Sequence, residues 1–411
     1  MGKCADGLLE QHRGELMYPF YLYTDMPKLT EHKVIAEIDT AALKSNYLTL
    51  AGLTPGTRHI CVVKADAYGH TCEICVPTLL DAGCDFFAVS CIEEALVVRK
   101  ICRENQKHAD ILILGYTDCR QAIELASNGI IQTLLSTEYA EQLDEAARAL
   151  GCKVRTHAAL DTGMNRIGIC ARDDAECKAA ADEVAYISKL EGLRLEGIYT
   201  HFAKADEEYF ATVESPDSYT LLQSQRFLRV RDELKQRNID LFCHVCNSAA
   251  TARFPSLKLD GVRIGILLYG IQPSEHINVP VSPVMALKTL ISHVHTLKAG
   301  QTVSYGGTYC ADRDRVIATV PIGYADGLLR AYSGFELTVR THKGDVKAAI
   351  IGRICMDQCM IDVTGLDVSV GDEVTVFGGD PSQLRTLATM AETIEYESLC
   401  LVSARVPRVK K

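Results

Sequence analysis

The chain has 411 residues, of which 47% are hydrophobic and 23% charged, a balance typical of a globular protein long enough for two domains. Its formal net charge of −10 argues against a nucleic acid or an anionic membrane surface as partner, because both bind basic faces. We find no signal-peptide pattern and no apolar stretch long enough to span a bilayer, so we expect no membrane segment in the chain as given.

Cysteine is abundant and irregularly spaced. The chain has 17 cysteines, and Cys72 and Cys75 form a CxxC pair that does not recur at the spacing of zinc ligands. We therefore expect free thiols and no metal site. Free thiols at this density indicate a reducing compartment. We expect a cytoplasmic protein, or the cytoplasmic part of a longer membrane-tethered parent.

Residues 1–33 show no clear period and are interpreted as an N-terminal extension. From residue 34 onwards, short apolar runs alternate with longer amphipathic ones. Runs of this length, bounded by Gly, Asp, Asn or Lys, are typical of buried parallel strands. The predicted strands are Ile60–Val63, Phe86–Ser90, Ile111–Gly115, Gln132–Ser136, Arg155–Leu160, Leu195–Phe202, Phe242–Ser248 and Val262–Tyr269.

The segments between these runs have helical patterns. Residues 93–100 and 218–238 are two of them, and Thr137–Leu150 is a third, with Thr137 as N-cap and Gly151 as the stop. Eight strands that alternate with helices are the number that closes a (β/α)8 TIM-type barrel. We therefore predict an α/β fold with a barrel over residues 34–283. An open doubly wound sheet is the alternative.

The rhythm changes near Pro280–Pro283. Beyond this point, β-type stretches are separated by Gly-Asp and Gly-Gly turns. They predict a second, mainly β domain over residues 284–411. The predicted strands are Met285–Leu297, Arg315–Pro321, Phe335–Arg340, Val346–Ile351, Met360–Val363 and Glu373–Phe377.

Two candidate site residues follow predicted barrel strands, whose C-terminal ends carry the active site in this fold. Lys64 ends the first apolar run; it is either a solvated lysine or a Schiff-base lysine whose pKa is lowered by desolvation. His201 ends the sixth run, where it is either a core histidine or a stacking partner for a flat cofactor ring.

Three further candidates lie on the seventh and eighth runs, next to the loops that often bind phosphate in this fold. Ser248 offers a hydroxyl, and Gly265 lets the backbone approach an anion closely, although a turn serine and a packing glycine are the alternatives. Arg263 lies inside an apolar run, where a charge is costly without a partner, so it forms either an ion pair or a ligand contact.

Around these residues the sequence resembles the alanine racemase family. The resemblance covers the chain from about Val34 to its C-terminus, and its motifs occur in the family's order. The matching segments are Val62–His70, Asp161–Gly168, Thr200–Ala203, Asn247–Ala250, Arg263–Ile266, Val303–Gly306, Pro321–Gly327, Gly352–Asp357 and Arg405–Arg408.

The resemblance implies a pyridoxal-phosphate-dependent amino-acid racemase that forms a head-to-tail homodimer and supplies D-amino acids for cell-wall peptidoglycan. Lys64 would carry the cofactor and act as one base, and Tyr305 of the partner subunit would act as the base on the opposite face. Arg263 would form a hydrogen bond with the pyridine nitrogen of the cofactor. Since arginine keeps its proton, the cofactor ring would withdraw electrons from the substrate less strongly.

The remaining site residues are also assigned by the resemblance. Those that match the family's cofactor contacts are Tyr68, His201, Ser248, Gly265 and Ile266. Those that match its substrate pocket and access channel are Arg166, Tyr324, Met356 and Asp357.

Two positions depart from the family pattern. Family members commonly carry a lysine, often carbamylated, where this chain has Ala159, so Arg166 needs another partner. The usual Ser-Tyr-Arg becomes Ser403-Ala404-Arg405, which removes a tyrosine that walls the substrate pocket. The extra room at Ala404 favours serine, or serine together with alanine, as in serine racemases linked to D-serine-ending cell-wall precursors.

Other functions remain as alternatives. They are a strict alanine racemase, a barrel-type pyridoxal decarboxylase, and a non-catalytic pyridoxal-phosphate-binding protein. The Val303–Gly306 segment argues against the decarboxylase. A protein that only binds the cofactor would have no use for Tyr305 or for a second domain.

Overall fold

A closed parallel barrel forms the first half of the computed structural model, which describes residues 31–207 and 218–411. In chain order, β1 is Val34–Ile38 and β7 is the two-residue Ile169–Cys170 beside β6. The eight barrel strands are β2 (Arg58–Val62), β3 (Phe86–Val89), β4 (Asp110–Ile113), β5 (Ile130–Leu134), β6 (Val154–Asp161), β8 (Leu193–Tyr199), β9 (Phe242–His244) and β10 (Gly261–Ile264).

The barrel closes because β10 pairs in parallel with β2 and β5 pairs with β6. This confirms the predicted (β/α)8 architecture and excludes the open sheet. The predicted N-terminal extension lies outside the described residues except for residues 31–33.

Helices cover the outside of the barrel and connect its strands. The helix predicted from Thr137 begins there, but its N-cap is Ser136, whose hydroxyl accepts a hydrogen bond from the Tyr139 backbone N–H. Thr137 was therefore the wrong cap by one position. The helices are α1 (Thr40–Leu53), α2 (Lys64–Tyr68), α3 (Cys72–Asp81), α4 (Ile92–Glu104), α5 (Ala122–Ser127), α6 (Thr137–Ala149), α7 (Asp174–Ile187), α8 (Tyr219–Gln236) and α9 (Ser248–Arg253). Of these, α2 is a left-handed turn rather than a right-handed helix, because residues 65–68 have positive φ.

The second half is built on a nine-stranded sheet with the order β12-β15-β18-β17-β16-β19-β11-β1-β20. Its elements after the barrel are β11 (Met285–Leu290), β12 (His293–Leu297), β13 (Thr302–Val303), β14 (Tyr309–Cys310), β15 (Arg315–Val320), β16 (Glu336–Thr341), β17 (Gly344–Ile351), β18 (Cys359–Asp362), β19 (Glu373–Phe377), α10 (Pro381–Met390), α11 (Glu395–Cys400) and β20 (Arg408–Lys410). Among the helices within the described residues, none is long and apolar enough to cross a membrane.

Strand β1 belongs to this second sheet, although residues 34–283 were assigned to the barrel from the sequence. It pairs antiparallel with β11 and parallel with β20, and all five of its residues are buried. A short buried strand, here four apolar residues and Glu37, gives no sequence signal about which sheet it joins. The domain boundaries themselves stay a prediction.

Three predicted strands are much longer than the observed ones. The run Phe242–Ser248 is a strand only to His244, and α9 begins at Ser248. The run Val262–Tyr269 is a strand only to Ile264 and continues as a 3-10 helix over Ile266–Tyr269. The run Met285–Leu297 is divided into β11 and β12. The first two errors have one cause, since a buried apolar run looks the same whether it continues as a strand, turns or becomes a short helix. In the run from Met285 the β-type pattern continues across the break at residues 291–292 and hides it.

Asn46 ties the barrel to the segment that leads into the second domain. This buried side chain of α1 donates hydrogen bonds to the carbonyls of Leu268, at 2.9 Å, and of Ser282, at 2.8 Å. Its own carbonyl oxygen accepts from the Ser282 N–H at 2.8 Å. One amide group thus satisfies three backbone groups at the point where the chain leaves the barrel.

Replacing Asn46 by alanine should destabilise the protein, because buried backbone groups lose their partners. We expect a loss of about 1–3 kcal/mol in the free energy of unfolding, measured by urea denaturation. Ser45→Ala, at an exposed position of the same helix, is the matched control and should stay near wild type. Equal stability of the two variants would show that Asn46 does not hold this junction.

Candidate active site

The C-terminal ends of the barrel strands surround a cavity of about 800 Å³. This is the end of the barrel at which catalytic residues of the fold are found. The cavity brings together every side chain or backbone position that the sequence analysis placed at the cofactor, together with the arginine predicted for the substrate pocket. These are Lys64, Tyr68, Arg166, His201, Ser248, Arg263, Gly265 and Ile266.

Lys64 lies two residues beyond the end of β2, at the start of a turn rather than on the strand. The four residues that follow it, Ala65 to Tyr68, all have left-handed φ values between 50° and 58°. The pKa of Lys64 is lowered by burial and, next, by the positive charge of Arg166. A lowered pKa increases the fraction of neutral amine, which is the form that attacks a carbonyl carbon.

Arg263 is buried on β10 and is held only by neutral acceptors. Its Nη1 donates to the ring Nδ1 of His244 at 2.8 Å and to the His244 carbonyl at 2.7 Å. Its Nη2 donates to the carbonyls of Thr200, at 2.6 Å, and Val245, at 3.1 Å. No carboxylate of the described residues pairs with Arg263, and its Nε–H makes no hydrogen bond to any of them. Because Arg263 lines the cavity, this N–H is a donor available to a ligand.

Arg263 also determines the protonation of two buried histidines behind it. Arginine only donates, so the Nδ1 of His244 must accept and its proton must lie on Nε2. That Nε2 lies 3.0 Å from Nδ1 of His157, which must accept in turn. The pKa of His157 is lowered to about 3, mainly by burial, and burial followed by the charge of Arg263 lowers that of His244. Both rings are therefore neutral, in defined tautomers.

The contact between His201 and Arg263 is marginal. Nδ1 of His201 lies 3.4 Å from Nη2 of Arg263, longer than the other hydrogen bonds of this arginine. The pKa of His201 is lowered to about 3 by burial and by the positive charge of Arg263. His201 is thus a neutral ring in the cavity wall.

The predicted phosphate residues form a small cradle at the ends of β9 and β10. The Ser248 hydroxyl accepts a hydrogen bond from the Gly265 N–H at 2.8 Å. A Cβ atom at Gly265 would lie only 2.7 Å from the Tyr68 hydroxyl, so glycine is needed for this hydroxyl to reach the cradle. With Lys64 and the free Nε–H of Arg263 in the same cavity, these residues fit pyridoxal phosphate.

Arg166 and Ala159 show the consequence of the missing family lysine. Ala159 is buried in the cavity wall and offers no polar group. Arg166 is exposed and makes no hydrogen bond or ion pair within residues 31–207 and 218–411. Its guanidinium is free to meet an anion from the cavity.

Part of the cavity wall was missed by the sequence analysis. Helix α11 and the residues before it contribute Thr393, Ile394, Tyr396, Glu397 and Cys400. This helix has only six residues, too few for an apolar period to be recognised. His157 and His244 did carry a signal, since each is a polar residue inside a run predicted to be a buried strand, as Arg263 is.

Five predicted residues do not line this cavity: Tyr305, Tyr324, Met356, Asp357 and Ala404. Tyr305 is 70% exposed, and Tyr324 and Met356 are 41% and 53% exposed. Two hydrogen bonds between their chain neighbours bring these three residues to one surface of the second domain. The hydroxyl of Ser304, next to Tyr305, donates to the Arg353 carbonyl at 2.6 Å, and the Tyr324 N–H donates to the carbonyl of Cys355, next to Met356, at 3.1 Å. We call this surface, which carries the two tyrosines Tyr305 and Tyr324 together with Met356, the exposed aromatic face.

Asp357 and Ala404 are connected through one arginine. Arg405 donates to Asp357 at 2.7 Å and, from its Nε, to the buried Asp326 at 2.7 Å. The ion pair lowers the pKa of Asp357, chiefly through the hydrogen bond from Arg405. These bonds fix the backbone on the C-terminal side of Ala404, whose methyl group is exposed.

Comparison with known proteins gives a consistent result. Residues 38–273 match the family model described as alanine racemase, N-terminal domain, and residues 284–410 match alanine racemase, C-terminal domain. Alanine racemase 1 of Clostridium acetobutylicum is 40% identical over 92% of this chain and 95% of its own length. The alanine racemase of Methanococcus maripaludis is 36% identical over 93% of this chain and 99% of its own length.

Solved structures agree with these relatives. The alanine racemase of Clostridium difficile has a TM-score of 0.82 at 36% identity and covers 92% of this chain and 96% of its own. The alanine racemase of Bacillus anthracis with bound L-Ala-P has a TM-score of 0.80 at 34% identity, and the match covers 92% of this chain and 95% of that one.

We predict that Lys64 reacts with aldehydes in preference to surface lysines, because its lowered pKa leaves more neutral amine. Pyridoxal phosphate followed by borohydride reduction should label the Lys64 peptide at least about tenfold more than other lysine peptides, as measured by mass spectrometry. Lys64→Ala should abolish this label, and Lys100→Ala, at an exposed position of α4, should retain it. Labelling spread evenly over the lysines would contradict the assignment.

Proposed function

This chain belongs to the alanine racemase family, and from that premise we propose that it interconverts the L and D enantiomers of alanine and serine. Lys64 and Tyr305 of the partner subunit are the two bases. The observation that carries the proposal is the convergence of Lys64, Arg263 and the cradle of Ser248 and Gly265 in one cavity. The D-amino acids formed would serve cell-wall peptidoglycan.

The family depends on pyridoxal phosphate, which when bound draws electrons from the substrate Cα and so acidifies its hydrogen. The chain's own residues then have separate tasks. The cradle of Ser248, Gly265 and Tyr68 would hold the phosphate, and the free Nε–H of Arg263 would be the donor for the pyridine nitrogen. An arginine at this nitrogen does not transfer its proton, which limits electron withdrawal and with it side reactions.

Racemisation requires a proton to leave one face of Cα and another to arrive on the opposite face. Lys64, whose pKa is lowered by burial and next by the charge of Arg166, takes or returns the proton on the face of the D enantiomer. Tyr305 does the same on the face of the L enantiomer. Within one chain Tyr305 lies on the exposed aromatic face, away from the cavity lining, so the proposal requires a second copy of the chain.

The substrate carboxylate pairs with Arg166. This guanidinium has no other partner among the described residues, and it lines the cavity that contains Lys64. Tyr324, Met356 and Asp357 of the partner subunit complete the pocket and its access channel. The absence of the family's lysine at Ala159 leaves Arg166 without a fixed orientation until an anion binds.

Serine is included because of Ala404. Ala404 lies outside the cavity lining of its own chain, so the proposal places it in the wall that a second chain completes. A tyrosine at this position would add a ring and a hydroxyl to that wall, and alanine leaves the space open. The CH2OH group of serine then fits where the family's tyrosine restricts the pocket to CH3. An apolar pocket rejects an added hydroxyl only weakly, so alanine and serine would both be turned over.

Refilling the pocket should restore selectivity for alanine. We expect Ala404→Tyr to lower the ratio of kcat/KM for serine to that for alanine by about tenfold or more, the order expected for steric exclusion of one group. Ala299→Tyr, at an exposed turn of the second domain, is the matched control and should leave the ratio unchanged. A wild-type enzyme that strongly prefers alanine would contradict the serine assignment and leave a strict alanine racemase.

Mixed dimers test whether two chains share each active site. Lys64→Ala and Tyr305→Ala should each be inactive, but a dimer that contains one chain of each has one site with both bases intact. Purified through two different tags, it should recover about half of the wild-type kcat per dimer. A mixed dimer no more active than its parents would place both bases in one chain.

A further inference from the structure

The turn that connects Lys64 to Tyr68 has an unusual backbone. Ala65, Asp66, Ala67 and Tyr68 have φ values of 51°, 50°, 58° and 54°, so four consecutive residues with side chains are left-handed. Each such residue costs about 1–2 kcal/mol relative to right-handed helix. The turn therefore persists only because surrounding contacts hold it.

Several of these contacts are local. Glu94 of α4 accepts a hydrogen bond from the Ala65 N–H at 2.7 Å. The Gly69 N–H donates to the Ala65 carbonyl and the Thr71 N–H to the Asp66 carbonyl, both at 2.9 Å. These bonds secure the first half of the turn. The Ala67 carbonyl accepts from the His70 backbone N–H at 3.1 Å, and the Tyr68 carbonyl accepts from no backbone N–H of the described residues.

His70 makes contact with both of those carbonyls. Its Nδ1 lies 3.1 Å from the Ala67 oxygen and 3.0 Å from the Tyr68 oxygen. A carbonyl only accepts, so the proton of His70 must lie on Nδ1. The imidazole thus bridges the last two carbonyls of the turn with one N–H.

The surroundings keep His70 neutral and fixed. Its side chain is fully buried, and its ring centroid lies 4.5 Å from that of Tyr269, which lies 4.9 Å from that of Tyr68. Tyr269 in turn donates to the Val62 carbonyl at 3.0 Å, on the strand that leads to Lys64. Burial lowers the pKa of His70 to about 4, so the ring is uncharged at neutral pH. Its Nε2 has no hydrogen-bond partner among the described residues.

We propose that His70 is a positioning residue whose Nδ1–H clamps the left-handed turn and so sets Lys64 and the Tyr68 hydroxyl at the distance that the cofactor requires. The inference rests on the proposed function, in which Lys64 binds the cofactor covalently and Tyr68 holds its phosphate. His70 itself does not line the cavity in which the cofactor and the substrate would bind.

Two amide substitutions test the hydrogen bonds of the His70 Nδ1–H separately from the volume that the imidazole ring fills. In His70→Asn the amide nitrogen takes the place of Nδ1, and in His70→Gln it takes the place of Nε2, where no carbonyl is bonded. We expect the apoprotein of His70→Asn to bind pyridoxal phosphate within about threefold of wild type, and that of His70→Gln at least about tenfold more weakly, a factor that corresponds to one lost hydrogen bond. The visible circular dichroism of bound cofactor should change in His70→Gln only.

The outcomes discriminate between the possible roles. Equal cofactor affinity and equal spectra for both variants, with a similar loss in Tm, would reduce His70 to a packing residue and overturn the inference. If neither variant folds, 15N spectra of histidine-labelled wild-type protein decide, because a proton on Nε2 of His70 overturns the clamp and a proton on Nδ1 supports it. A wild-type protein that does not bind pyridoxal phosphate would instead contradict the proposed function.

Discussion

The buried guanidinium of Arg263 is the constraint to which most of the site is adapted. A buried charge is costly unless hydrogen bonds compensate for the lost water. The Nη groups of Arg263 donate to backbone carbonyls and to a histidine ring nitrogen, and no carboxylate among the described residues pairs with them. Burial lowers the pKa of Arg263 to about 10, so the group stays charged at neutral pH. Its positive charge adds to burial in keeping His244 and His201 neutral. Together with Lys64 and Arg166 it makes a positively charged cavity, which suits a phosphate and a carboxylate.

The second domain serves this cavity in two ways. Within the chain, α11 supplies part of the wall, so the barrel alone does not enclose the site. The exposed aromatic face lies elsewhere on the same domain, where a large area of Tyr305 remains open to solvent. In the proposed dimer this surface completes the cavity of the other chain. The second domain then has a catalytic reason to be present in addition to a structural one.

Much of the fold follows from the sequence, because parallel strands buried on both faces read as apolar runs and eight of them close a barrel. Lys64 and Arg263 were found for a related reason, since a charge at or inside such a run needs an explanation. The same property hides other features. Strand β1 is apolar except for Glu37 and gave no sign of joining the second sheet, and the run through Gly265 did not reveal that the strand stops there.

The parts of the site that could not be predicted depend on distant contacts. The role of His157 follows only from its distance to His244, which lies 87 residues further along the chain. The left-handed turn after Lys64 contains three residues with no preference for that conformation, and it is held by Glu94 and His70 rather than by its own sequence. The positions of Tyr305 and Ala404 relative to a substrate depend on a second chain.

The central claim is that two bases act on opposite faces of Cα, and hydrogen exchange with solvent tests it most directly. L-alanine would be converted in D2O by the cofactor-loaded protein and analysed at low conversion for the label at Cα of both enantiomers. Two bases predict D-alanine that carries deuterium and remaining L-alanine that carries none, because the base that removes the proton is not the one that delivers it. D-alanine that retains the original hydrogen would show one base acting on both faces and contradict the account.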